Sequence, residues 1–147
     1  MKRRILIALL LLGFFSVMKL RASEDNPVST PDREYFEQVR KAILTDDITW
    51  ISKQWKSSPF NVNLKKRHLK IRNTSDLKRH FQFIFNSKLK EAVRNQSPNT
   101  LFKNWEGLMI GNGEVWFAKL GEIHEGKTIW KYSILAINVP ETGGRKP

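Results

Sequence analysis

The chain has 147 residues, 40% of them apolar and 11% aromatic, with 26 bases against 14 acids for a net charge of +12. That is enough for one compact domain with a real core. The sequence contains no cysteine, which excludes disulfides and a lipid-modified cysteine, so stability has to come from packing.

In chain order, the basic start Met-Lys-Arg-Arg is followed by ILIALLLLGFFSVM over residues 5–18 and by KLRAS ending at Ala22. A basic lead, an apolar stretch and a small residue make residues 1–22 a secretory signal peptide. The apolar run is shorter than the roughly 20 residues a membrane-spanning helix needs. Lys19 and Arg21 blur the cleavage point after Ala22, and an uncleaved tether is the alternative. A cleavable signal implies a periplasmic or secreted bacterial protein. Its removal takes away five bases and no acids, leaving 21 bases against 14 acids, a net +7. The remaining charge is uneven: residues 53–94 hold 12 bases and two acids.

Residues 23–30 form an exposed leader containing Pro27. Thr30 is expected to cap a first helix, with Pro31 at its first position and Asp32 and Glu34 near the positive end of its dipole. Tyr35, Phe36, Val39, Ile43 and Leu44 share one face of that helix. Thr45 caps a short second helix with Ile48, Ile51 and Trp55 on its apolar side. Phe60, Val62 and Leu64 alternate as in a half-buried strand; Leu69 and Ile71 have the opposite parity, so Lys65-Lys66-Arg67-His68 contains a turn or bulge. Asn73-Thr74-Ser75-Asp76 caps a core-forming helix carrying Leu77, Phe81, Ile84 and Phe85, with a kink or restart at Asn86-Ser87. From Leu101 the character changes to strands: LFKNWEGLMI, EVWFAKL, a turn at Glu122–Lys127, and TIWKYSILAINV. Helices first and a strand meander last predict an α+β domain over residues 31–140, one curved antiparallel sheet with the N-terminal helices packed on it. Residues 141–147 form a flexible tail.

In GLMIGNGEVWF, three glycines precede residues that read as strand. A phosphate-cradling loop needs a helix there, so Gly111-Asn112-Gly113 is expected to make a tight hairpin and Gly107 to let the incoming strand bend or bulge.

This succession, with SDLKRHFQFIFNSKLKEAV, LFKNWEGLMIGNGEVWF and a last long strand, resembles the nuclear transport factor 2-like (SnoaL-like) superfamily from about Pro31 to Val139, and in particular its small exported bacterial members. The resemblance implies a cone-shaped fold in which a bent sheet and its helices enclose a cavity. It implies no single activity, because such members include isomerases, dehydratases, cyclases, immunity proteins and binding modules. No catalytic constellation of that superfamily carries over onto these residues.

Candidate sites follow from residue type. His80, beside the buried stripe of its helix, and Asp47, near apolar residues, are the weak candidates for an acid–base group. For Asp47 the helix dipole is the stronger explanation, and for His80 a place at the core boundary. Trp105, Trp116, Trp130 and Tyr132 lie on the expected sheet, where they pack the core or, if the cone is open, line a pocket for a small apolar or sugar-like ligand. Trp50 and Trp55 are weaker lid candidates. Lys65, Lys66, Arg67, Lys70, Arg72, Lys78 and Arg79 are either a solvated face or a patch for an acidic protein or an anionic envelope surface. Nucleic acid ranks below these for an exported chain. Three scattered histidines give no metal-ligand spacing, and no cofactor is indicated. The leading expectation is an exported, non-enzymatic ligand-binding or protein-interaction domain. The alternatives are a cone-fold isomerase, dehydratase or hydrolase, or an immunity-like inhibitor acting through the basic patch.

Overall fold

The computed structural model describes residues 27–141. The signal peptide expected at 1–22, leader residues 23–26 and tail residues 142–147 lie outside this range. The described residues fold as α+β: α1 (Thr30–Leu44), α2 (Ile48–Lys53), β1 (Phe60–Asn63), β2 (His68–Ile71), α3 (Thr74–Ile84), α4 (Ser87–Asn95), a 3-10 turn at Pro98–Thr100, β3 (Phe102–Asn104), β4 (Gly107–Ile110), β5 (Val115–His124) and β6 (Lys127–Ile137).

The helix starts shift by one or two residues from expectation, for hydrogen-bonding reasons. Ser29, not Thr30, caps α1, because Ser29 and Asp32 form a reciprocal capping box that satisfies two backbone N–H groups at once. Thr45 closes α1 instead of opening α2, its hydroxyl donating to the Lys41 carbonyl. The cap of α2 is Asp47, whose carboxylate accepts from the Trp50 N–H. Asn73 and Asn86 cap α3 and α4, so of the kink or restart expected at Asn86-Ser87 the restart is found, as a new helix.

β3, β4, β5 and β6 form one antiparallel sheet in chain order, and β1 and β2 form a separate hairpin. Parallel bridges Trp55↔Ile134 and Asn63↔Asn138 place the chain around β1 along the free edge of β6. LFKNWEGLMI is two strands and not one: Trp105 and Glu106 form a two-residue turn, with the Asn104 side chain accepting from the Glu106 and Gly107 N–H groups. Strand β5 runs on through His124, so the last turn shrinks to Glu125-Gly126, both at positive φ, as a twisted two-residue hairpin requires. Gly111–Glu114 makes the turn before β5, with Gly111 and Gly113 at positive φ.

Partners in a ladder share a face of the sheet. Leu108 opposes Phe117 and Phe117 opposes Ile134 on the helix-covered face; Phe102, Met109, Trp116 and Ala136 follow one another on the opposite face. A bulge between Trp116 and Phe117 resets β6, so that Ile134 and Ile137, three residues apart, both point into the core. Without it the period of two would turn one of them to solvent.

The space between helices and sheet is filled. Phe36, Val39, Ile43, Ile84, Phe85, Phe117 and Ile134 are all 0% exposed, so no void that a water could enter touches them. At about 25 cal/mol per Å² of buried apolar surface, side chains of this size supply most of the drive to fold. Any ligand seat therefore lies at the margin of this core.

Candidate functional site

That margin is where the N-terminus of α1 meets the sheet. The capping box draws Asp32 inward, and the residue is only 4% exposed. One carboxylate oxygen, Oδ2, accepts from the Ser29 N–H at 2.8 Å and from Lys103 Nζ at 2.7 Å; the other, Oδ1, accepts from the Tyr132 hydroxyl at 2.7 Å. Lys103 reaches it because its ladder partner is Leu108, which puts the lysine on the core-facing side of a short strand. A charge so placed must find a counter-charge, and Asp32 supplies it. Tyr132 stacks on Tyr35 with ring centroids 4.7 Å apart, and Tyr35 packs in turn against Phe117 at 5.3 Å. The Tyr35 hydroxyl donates to Gln54 Oε1.

The electrostatics follow from these contacts. Burial alone would raise the Asp32 pKa, but the Lys103 ammonium, the Tyr132 hydroxyl and Ser29 outweigh it and hold the carboxyl at about 2. Burial, and then the Asp32 carboxylate it donates to, push the Tyr132 phenol up to about 12. Burial also raises Tyr35. All three shifts move the pKa values away from pH 7: the carboxyl is a fixed anion and both phenols are fixed neutral donors.

Above this cluster opens a cleft of about 280 Å³, lined by residues that include Ser29, Asp32, Lys103, Asn104, Trp105, Lys119 and Tyr132. Trp105, carried on the β3–β4 turn, is 89% exposed at its rim. A second cleft, of about 350 Å³, lies between the α2–β1 connection and the start of α3, with Lys56, Arg72, Ser58 and Thr74 in its walls.

Of the four aromatic residues expected around one concavity, Trp105 and Tyr132 meet in the first cleft. Trp130 stands on the same sheet face one pair beyond Tyr132, since Lys119 opposes Tyr132 and Gly121 opposes Trp130. Trp116 does not join them. It lies on the opposite face, edge-on to Phe102 at 6.4 Å, because odd and even positions of β5 point to opposite sides. Trp105 is likewise no strand residue. Trp50 tilts against Tyr35 at 6.0 Å, and Trp55 stacks on Phe60 at 4.7 Å.

Asp47 is exposed and engaged as the cap of α2. His80 is part-buried on α3 and borders neither cleft. The basic residues divide: Lys65, Lys66, Arg67 and Lys70 project from the β1–β2 hairpin, while Lys78 and Arg79 stand on α3, all of them exposed. Asp76 pairs with both Arg72 and Arg79, and Glu141 with Lys65. Among the described residues no group of three or more His, Cys, Asp or Glu could hold a metal ion, and no helix is long and apolar enough to cross a membrane.

Asp32, Lys103 and Lys119 are not marked as site residues by residue type alone. The helix dipole by itself accounts for Asp32, and the signals that point further are the Ser29-x-x-Asp32 spacing and a lysine in inward register in LFKNW. Comparison with protein-family models, with curated proteins and with solved structures finds nothing that this chain matches.

Proposed function

We propose that the domain is an α+β module of nuclear transport factor 2-like type whose interior is filled by side chains instead of enclosing a cavity, exported and non-enzymatic, and that it binds a small ligand in the marginal cleft over Asp32. Helices followed by a meander, with β1 running parallel beside β6, support the fold assignment. The functional reading is carried by one observation: a buried, fully hydrogen-bonded carboxylate on the floor of a cleft whose rim holds an almost wholly exposed tryptophan. Concave sites with a few fixed polar groups and aromatic walls are where small molecules bind.

Binding is favoured over acid–base catalysis because a general acid or base works best with a pKa near the working pH, and Asp32 and Tyr132 are driven to about 2 and about 12. The experiment is a thermal-shift screen of the full-length chain against small metabolites. Binders should stabilise the wild type, by about 2.7 kcal/mol at a hundredfold excess over Kd, and lose this effect in Trp105→Ala. Turnover of any binder that disappears in Asp32→Asn would replace the binding reading with an enzymatic one.

A second reading rests on the hairpin: Lys66, Arg67 and Lys70 are exposed and have no acidic partner among the described residues. This favours docking of an anionic envelope surface or an acidic protein. Co-sedimentation with phosphatidylglycerol vesicles that survives reversal of Lys66, Arg67 and Lys70 to glutamate would exclude the hairpin as a lipid contact.

A further inference from the structure

We infer that the ligand of the cleft is an acidic saccharide, its acid group held by Lys119 and its ring faces laid on Trp130 and Trp105. This rests on the reading of the cleft as the ligand seat. Charge comes first. The floor is already balanced, Asp32 against Lys103, whereas Lys119 lines the same cleft and has no acidic partner among the described residues. The charged side chains that line the cleft, Asp32, Lys103 and Lys119, therefore sum to +1, and the complementary ligand is an anion.

Shape comes second. Trp130 opposes Gly121 in the ladder, and a side chain at Gly121 would start 3.3 Å from carbons of the indole ring. The ring thus lies across a bare stretch of β5, while Trp130 as a whole stays 62% exposed. An indole resting against Gly121 and still 62% exposed leaves aromatic surface open to solvent, and an open aromatic face is a surface on which the C–H face of a sugar ring can stack. Lys119 and Tyr132 form the next same-face pair, about 6.6 Å along the strands at 3.3 Å per residue. One molecule with two or three sugar rings can reach Trp130 and the cleft together.

Polar chemistry comes third. Asn104 uses its side-chain oxygen to accept from the backbone N–H groups of Glu106 and Gly107. Its amide NH2 has no acceptor among the described residues, leaving it to donate to a hydroxyl. A flat apolar ligand would leave that donor and Lys119 unanswered, and desolvated groups without partners oppose binding.

The test is calorimetric titration of the full-length chain with trigalacturonate and with neutral galactotriose. Trigalacturonate should bind about tenfold more tightly than the neutral sugar at low salt, and Lys119→Ala should abolish that preference. Trp130→Ala should weaken both sugars about tenfold, as loss of a stacking platform does. Both side chains are exposed, so the unfolding curves of these variants should overlay the wild type. Equal affinity for the two sugars, or a preference that survives Lys119→Ala, overturns the charge assignment, and unchanged affinity in Trp130→Ala overturns the platform. If neither sugar binds while other small molecules perturb Trp105, the saccharide inference fails and the cleft reading stands. If nothing perturbs Trp105, both fail.

Discussion

Replacing Asp32 with asparagine keeps the shape of the side chain and removes its charge. In the folded protein the carboxyl sits at about 2 against an ordinary value of 3.8; at about 1.4 kcal/mol per unit this difference is worth about 2 kcal/mol near neutral pH. The amide also turns an N–H toward one of the three donors now served by the carboxylate, Lys103, Tyr132 and Ser29, adding about 1 kcal/mol. Asp32→Asn should therefore lower stability at pH 7 by about 2–3 kcal/mol, a fall of about 1–2 M in the urea midpoint. The sign with pH follows from a depressed carboxyl pKa: its contribution is complete above about pH 5 and is lost as pH falls through the folded value of about 2. Urea unfolding of both proteins should show the gap narrowing by about 1.5 kcal/mol between pH 7 and pH 2.5. A variant within about 0.5 kcal/mol of wild type at pH 7, or a gap that does not narrow on acidification, would refute the buried ion pair as described.

Two further expectations concern the same region. The chain has two tyrosines, Tyr35 and Tyr132, both with raised pKa values. Absorbance at the tyrosinate band should therefore show no titration near pH 10 in the folded protein, and a full two-tyrosine step there would contradict their burial; because the neutral phenol is the form favoured by folding, the associated stability is lost only as pH rises above about 10. Gly107 holds φ +144, and a Cβ there would stand 2.6 Å from the Phe117 carbonyl oxygen. Gly107→Ala should lose about 2 kcal/mol or more in chemical denaturation, and a neutral result would deny the close approach of β4 to β5.

The legible part of this protein was its periodicity. The stripe Tyr35, Phe36, Val39, Ile43 and Leu44, the stripe Leu77, Phe81, Ile84 and Phe85, and the change from period 3.6 to period 2 near Leu101 each follow from side chains that have to leave water; all of the named residues of the two stripes are buried except Leu44, which is half-buried against the core. Features set by one hydrogen bond against another were less legible. Ser29 and Thr30 are both competent caps, and only the reciprocal bond with Asp32 selects Ser29. The two-residue turn at Trp105-Glu106 depends on the Asn104 side chain satisfying two backbone N–H groups, which apolar patterning does not encode. The bulge at Trp116/Phe117 was hidden for a similar reason: it is fixed by the match of β5 to β6 across the sheet. The cluster of Asp32, Lys103 and Tyr132 is the extreme case. Its members are up to 100 residues apart in sequence, and only the closed fold brings them together.

The cleft over Asp32 as the ligand seat is tested most directly by the five tryptophan indole N–H signals in a nitrogen-15 correlation spectrum, recorded as binders from the thermal-shift screen are added. The signal of Trp105 should move in step with saturation, while those of Trp116, on the far face of the sheet, and Trp55, stacked on Phe60, stay in place. Saturating binders that shift Trp116 or Trp55 and leave Trp105 unmoved would place the ligand elsewhere and contradict the account.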